Sequence, residues 1–240
     1  MSDAVIWHDL ECGSYAADLS LWRELAVHSD GDVLDIGAGT GRVTLDLARR
    51  GHRVTALDSE AELLEALTER AAAADLEVAT IVADARDFDA GRRFSTVLMP
   101  MQTIQLLGGT EGRMRFLRCA RAHLTAGGIV ALALADALEG FDAEHTEPPL
   151  PDICERDGVV FASRPVAVRE HAVSVSIERV RETVGPDGTR DVSEDIIHLD
   201  RLDAPTLTAE GLVTGFSAAS QRVVAATDEH VGSTVVILHA

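Results

Sequence analysis

The sequence predicts an α/β protein: a doubly wound, seven-stranded, mostly parallel sheet with a three-stranded antiparallel insertion. Three observations carry that expectation. Strand-like apolar runs alternate with helical patterns of roughly 10–15 residues between residues 33 and 135, the signature of a parallel sheet with right-handed crossovers. The first run, Val33-Leu34-Asp35-Ile36, stops at Gly37-Ala38-Gly39-Thr40-Gly41, and a helical pattern follows. A strand, a tight loop and a helix N-terminus in that order hold nucleotides in open α/β sheets. Beyond residue 159 the period shortens to two. Val173, Val175 and Ile177 alternate with Ser174, Ser176 and Glu178, as in a half-exposed antiparallel strand.

Composition bounds the rest. A chain of 240 residues with 46% hydrophobic content holds one α/β domain and an insertion. No apolar run is long enough to span a membrane, and Asp3, Asp9 and Glu11 replace the basic start of a signal peptide. Cys12, Cys119 and Cys154 are far apart and read as free thiols in a reducing compartment, so a cytoplasmic location is expected. The net charge of −19 argues against nucleic acid as a partner, because such binders need basic stripes. Arg113, Arg115, Arg118 and Arg121 are scattered around Met114, Phe116 and Leu117 and read as a solvated helix face. All 21 basic residues are arginine, and asparagine is absent too. Without lysine there is no Schiff-base chemistry and no phosphate-loop lysine.

Taken in order, Leu19, Trp22, Leu25 and Ala26 repeat at helical spacing near the N-terminus. The glycine loop leads to a helix carrying Val43, Leu45 and Leu47 and ending at Gly51. Residues 53–57 form a second strand that closes on Asp58. Residues 60–74 make a helix with Leu63, Leu64 and Leu67 inward, and residues 77–82 a third strand before Ala83-Asp84-Ala85. A fourth strand, 94–98, runs into Met99-Pro100-Met101-Gln102-Thr103-Ile104-Gln105, which holds no metal ligand set. A helix over 110–124, a turn at Gly127-Gly128 and a strand over 129–135 complete the parallel part. Residues 136–158 form an irregular acidic loop with His145. Three strand-like runs follow at 159–169, 172–184 and 189–202, the last two joined by Gly185-Pro186-Asp187-Gly188. A short helix over 206–212 precedes a C-terminal hairpin.

The glycine spacing separates two nucleotide-binding families. Dehydrogenases use G-x-G-x-x-G, but here the spacing is G-x-G-x-G, with Arg42 where the third dehydrogenase glycine would be. An acid, Asp35, closes the strand, which suits a ligand bearing an ammonium. Asp35-Ile36-Gly37-Ala38-Gly39-Thr40-Gly41 resembles the first motif of class I S-adenosylmethionine-dependent methyltransferases, a Rossmann-like family. Asp58, 17 residues after Gly41, suits a ribose diol. Asp84-Ala85 resembles the adenine motif of the same family.

The resemblance covers roughly residues 31–135 and implies S-adenosyl-L-methionine as cofactor, with S-adenosyl-L-homocysteine as product. It implies a cofactor site of Asp35, Gly37, Ala38, Gly39, Gly41, Asp58, Ser59, Asp84, Ala85, Met99 and Gln105. Tyr15, Met101, Gln102 and His171 are candidate contacts for a small-molecule acceptor, and Tyr15 and His145 for catalysis. His8, His198 and His230 are further candidates for a general base. The inserted sheet resembles that of glycine- and sugar-type N-methyltransferases, where it covers substrate or forms a dimer interface, so a homodimer is a further expectation. Residues 1–30 are expected as a helical lid, 31–138 and 203–240 as the cofactor-binding core, and 139–202 as the acidic loop and inserted sheet. The expected activity is methyl transfer to an N, O or C atom. The alternatives are a non-methylating reaction on the same scaffold and an NAD(P)-dependent oxidoreductase.

Overall fold

The computed structural model describes residues 2–27, 31–135, 138, 140–144, 149–227 and 230–240. In chain order its elements are helices α1 (Asp3–Cys12) and α2 (Leu19–Val27), strand β1 (Val33–Ile36), α3 (Arg42–Arg49), β2 (Val54–Asp58), α4 (Ala61–Ala73), β3 (Ala79–Val82) and β4 (Phe94–Met99). A one-turn 3₁₀ helix (Thr103–Leu106), α5 (Gly109–Ala122) and β5 (Leu124–Leu134) follow. The remainder is β6 (Phe141–Asp142), β7 (Asp152–Arg156), β8 (Val159–Glu170), β9 (Ser174–Val184), β10 (Arg190–Asp200), α6 (Ala204–Val213), β11 (Ser217–Val224) and β12 (Ser233–His239).

The chain forms two compact units. One comprises residues 15–137 and 202–240 and holds a seven-stranded sheet of order β11-β12-β5-β4-β1-β2-β3. Pairing among β5, β4, β1, β2 and β3 is parallel, and β12 runs against both β5 and β11. β1 therefore sits near the middle, covered on both faces, and all four of its residues are buried. That is why its sequence is almost continuously apolar. Leu34, Ile36, Val97, Leu132 and Phe116 belong to one core cluster; Val33, Val43, Leu98 and Trp22 belong to a second.

Local chemistry explains the element ends. Asp203 caps α6 by accepting from the Thr206 N–H at 2.8 Å, with proline in the first turn. The glycine pair near residue 127 does not precede the fifth strand, as expected, but lies inside β5. The register with β4 jumps there from Phe94↔Leu124 to Thr96↔Ile129, a bulge, with Gly127 at φ 75°. Arg113 corrects another expectation. It is buried, and its guanidinium forks onto the Glu210 carboxylate at 2.6 and 2.8 Å, joining α5 to α6.

The other unit comprises residues 1–14 and 138–201. Its antiparallel sheet has five strands, not three: the order is β10-β9-β8-β6, with β7 also on β8. β7 lay hidden in the acidic segment because its residues are polar. Its turn, however, is Asp157-Gly158, both at positive φ, the backbone a two-residue hairpin demands. Helix α1 packs within this unit, where Glu11 accepts from Arg181 at 2.8 Å (both Nε and Nη2) and from Ser163 Oγ at 2.7 Å. Burial alone would raise the Glu11 carboxyl, but these donors outweigh it and hold the group below its usual range. The expected lid of residues 1–30 is thus divided: α1 joins the inserted sheet, while α2 joins the parallel sheet through Trp22, Leu25 and Ala26.

Removing one partner of a buried ion pair strands the other charge. Arg113→Ala should destabilise the protein by about 3–5 kcal/mol in urea titration. The paired replacement Arg113→Met with Glu210→Leu should cost clearly less.

Candidate functional site

The carboxyl ends of β1, β2, β3, β4 and β5 lie along one edge of the parallel sheet, and most of the residues singled out from sequence lie there. At β1, Gly37, Gly39 and Gly41 have φ of 69°, 54° and 96°. Side chains rarely take that backbone region. At Gly37 a Cβ would also lie 2.6 Å from Thr103 Cγ2, and at Gly41 2.8 Å from Leu67 Cγ. The turn is tied to β2: the Gly37 and Ala38 N–H groups donate to the Leu57 carbonyl at 2.8 and 3.1 Å. The Gly39 N–H donates to Asp58 Oδ2 at 2.8 Å.

Asp35 is buried just before this turn. Its Oδ2 accepts from Thr44 Oγ1 at 2.6 Å, while Oδ1 is buried without a hydrogen-bond partner. Burial lifts the carboxyl to about 7; the Thr44 hydroxyl and the nearby Arg42 oppose that rise, and the Asp58 charge adds to it. An ordinary turn carboxylate faces water; this one is buried with one oxygen unpaired.

Asp58 uses one oxygen on Gly39 and the other on the Glu60 N–H at 3.0 Å, so it both fixes the loop and starts α4. Each oxygen keeps a second lone pair. Ser59 beside it is exposed. Asp84 is exposed at the end of β3, next to Ala85, and differs from the open acceptor expected. Arg86 donates to it from Nη2 at 2.6 Å, from Nε at 2.9 Å and from its backbone N–H at 2.8 Å. Arg86, first through its side chain and then through its backbone, holds the Asp84 carboxyl down at about 2.

At the β4 end the side chains are largely committed to packing. Met99 is fully buried, with its side chain in the core. Met101 takes φ 56°, an uncommon conformation for a side-chain-bearing residue and one that marks local strain. Gln102 starts the 3₁₀ turn by accepting from the Gln105 N–H at 2.9 Å. The Gln105 amide, expected on the cofactor, is buried and hydrogen-bonds both ways with the Ala135 backbone: Oε1 accepts at 2.8 Å and Nε2 donates at 3.3 Å. It holds the 3₁₀ turn to the end of β5.

Tyr15 is buried in the same unit. Its ring lies 4.9 Å from that of His230, and the Arg42 guanidinium lies 5.1 Å from its centroid. Arg42 Nη1 donates to the Tyr15 carbonyl at 2.8 Å and both terminal nitrogens pair with Asp18, at 2.5 and 2.8 Å. Burial raises the Tyr15 hydroxyl above its usual range, reinforced by Asp18. The Tyr15 hydroxyl therefore keeps its proton at neutral pH. The sequence pattern did not reveal Arg42 and Asp18, since the pair forms across 24 residues. His171 belongs to the other unit, where it is exposed and hydrogen-bonds with Ser176 Oγ at 3.0 Å. His145 lies outside the described residues. No group of metal-ligating side chains is found among the described residues, and none of their helices is long and apolar enough to cross a membrane.

Residues 33–128 match the family model described as a methyltransferase domain. The cypemycin N-terminal methyltransferase of a Streptomyces species is 30% identical over 164 residues. That match spans 62% of this chain and 66% of the relative, a little under two thirds of its length. The sugar N-methyltransferase KedS8 of Streptoalloteichus sp ATCC 53650 superposes with a TM-score of 0.75 at 17% identity, covering 99% of this chain and 92% of that one. The glycopeptide N-methyltransferase MtfA, complexed with S-adenosyl-L-homocysteine, gives 0.62 at 25% identity, covering 92% and 86%.

Sheet order, glycine loop and the acid at the end of β1 match the fold of the class I S-adenosylmethionine-dependent methyltransferases among the structural neighbours. Residues 33–128 carry a methyltransferase domain, and its cofactor is S-adenosyl-L-methionine. The site fits that group: an unpartnered, buried carboxylate oxygen suits an ammonium, and the turn beside it bears only glycines and the small Ala38 and Thr40.

The Asp35 carboxyl titrates about 7 in the fold, above its ordinary value of 3.8. The folded protein therefore holds this proton over a window where the unfolded chain has lost it. Stability from this group falls as pH rises from about 4 to about 7. Asp35→Asn should raise the melting temperature of the cofactor-free protein above pH 7, and the gain should fade toward pH 4. Binding a cationic ligand favours the carboxylate. Calorimetry with S-adenosyl-L-homocysteine at pH 6 should show proton release, scaling with buffer ionisation enthalpy, that is absent in Asp35→Asn.

Proposed function

We propose that this protein transfers the methyl group of S-adenosyl-L-methionine to the nitrogen of an amine on a small-molecule acceptor. The observation that carries the reading is the Asp35 carboxylate, buried and half-unpaired beside a glycine turn that must stay bare. A nitrogen acceptor is supported by the named activities of the cypemycin, KedS8 and MtfA methyltransferases. The net charge of −19 favours approach of a protonated amine.

In this reading Asp35 binds the cofactor's ammonium, Gly37, Ala38, Gly39 and Gly41 lie against it, and Asp58 accepts from the ribose hydroxyls. Asp84 and the Ala85 N–H take the adenine edge, with Arg86 sharing the carboxylate. Tyr15, Met101 and Gln102 line the acceptor side. When bound, the cofactor supplies a sulfonium methyl that is already electrophilic. The chain's own work is then to align the acceptor, keep water out and take up a proton. His230 is the residue placed for that proton. Of the described histidines in its unit, His52, His123 and His239 lie at the amino edge of the parallel strands, while His230 sits in the β11–β12 connection at the carboxyl edge.

The test is to incubate the protein with S-adenosyl-L-methionine and two panels, amino sugars and peptides with free N-termini. S-adenosyl-L-homocysteine should accumulate together with an N-methylated product. Stabilisation by NADH with an inert S-adenosyl-L-methionine would overturn the reading in favour of an oxidoreductase. S-adenosyl-L-methionine bound but never demethylated would favour a non-methylating use. Asp58→Ala should weaken cofactor binding by about 1–3 kcal/mol in calorimetry, the scale of hydrogen bonds to a charged group. His230→Ala should lower kcat about 10²-fold, the lower end for loss of a positioned base, while leaving cofactor affinity within about threefold.

A further inference from the structure

Three segments remote in sequence meet at Tyr15. Arg42 is the first residue of α3, directly after the last glycine of the cofactor loop. Asp18 precedes α2 and is almost fully buried, as is most of the Arg42 side chain. The Tyr15 hydroxyl hydrogen-bonds to Ser233, at the start of β12, and its ring meets His230. Arg42 thus spends one guanidinium on two tasks. Its fork satisfies both oxygens of Asp18, and the shared Nη1 also reaches the Tyr15 carbonyl while the cationic face lies near the ring. Trp22 closes the cluster by donating to Asp18 Oδ2 at 2.7 Å.

A buried ion pair is weak evidence for stability, because desolvation offsets much of the attraction. Its best-attested use is to impose one arrangement among several. Here the arrangement imposed is the position of a neutral aromatic ring beside the helix that begins where the glycine loop ends. We propose that Arg42, held by Asp18, is a positioning residue that sets Tyr15 against the cofactor loop. This rests on the methyl-transfer reading above. Lysine cannot replace it: a single ammonium has no planar fork with which to serve two carboxylate oxygens and a carbonyl at once.

The test is a double-mutant cycle read by calorimetry with S-adenosyl-L-homocysteine. Arg42→Lys should weaken binding about tenfold in the parent and less than twofold in a Tyr15→Leu background, because the ring it positions is already gone. A merely structural Arg42 would cost the same in both backgrounds, and that outcome overturns the inference while parent binding upholds the cofactor reading. A parent that does not bind S-adenosyl-L-homocysteine overturns both. Should Arg42→Lys fail to fold, Asp18→Glu keeps the charge but displaces the fork. It should show the same background dependence, and additive losses there overturn the inference equally.

Discussion

A carboxylate sealed at the end of the central strand governs this fold's active edge. Asp35 lies among buried neighbours, with one oxygen bonded to Thr44 and the other unpartnered. In an apolar interior an ionised, half-satisfied carboxylate is costly, and the carboxyl responds by holding its proton up to about 7. The rest of the edge follows from that tension. The glycine turn has to fold tightly over the acid, which requires the left-handed backbone at Gly37 and Gly39. Asp58 stabilises the turn through the Gly39 N–H. A second negative charge so near Asp35 raises its carboxyl further. In the proposed reading, the cofactor's ammonium is what offsets this strain at the edge.

The parallel half was legible because it is written in local signals. A short, mostly apolar run before glycines, an acid at each of the first three strand ends and leucines at helical spacing each report on neighbours only a few residues away. The antiparallel unit was less legible. Its strands alternate half-buried residues with charges, so β7 offered no apolar run, and only Asp157-Gly158 marked its turn. Pairings over long separations left no trace in the pattern at all. Arg113 looked solvated on a helix wheel, yet Glu210, 97 residues on, makes it a core residue. Gln105 looked like a ligand contact, yet the Ala135 backbone takes its amide. Asp84 was read correctly as a strand-end acid, but its partner two residues on was missed.

The misses at Arg113 and Asp84 share a cause. Every cation in the chain is arginine, and a guanidinium offers a planar fork that a lysine lacks. The fork recurs in Arg23 on Asp46, Arg42 on Asp18, Arg86 on Asp84, Arg113 on Glu210 and Arg181 on Glu11. Exposed pairs of this kind add little stability. The buried ones fix geometry, because a displaced fork leaves charge unpaired in a poor solvent. A composition with 21 arginines, no lysine and 40 acids thus does two separate things. It locks particular elements in register, and it leaves a surplus of acids.

That surplus bears on the acceptor. An amine is protonated in water and is attracted to an acidic surface, but it must lose a proton before its lone pair can attack carbon. Approach and reaction therefore ask for opposite environments. The acidic chain serves the approach. At the edge of the sheet Tyr15 is buried and neutral and Arg42 is paired with Asp18, while the Asp35 and Asp58 carboxyls lie close by. In the proposed reading, the half-buried His230 imidazole beside the Tyr15 ring takes up the proton that the amine must give up before it attacks.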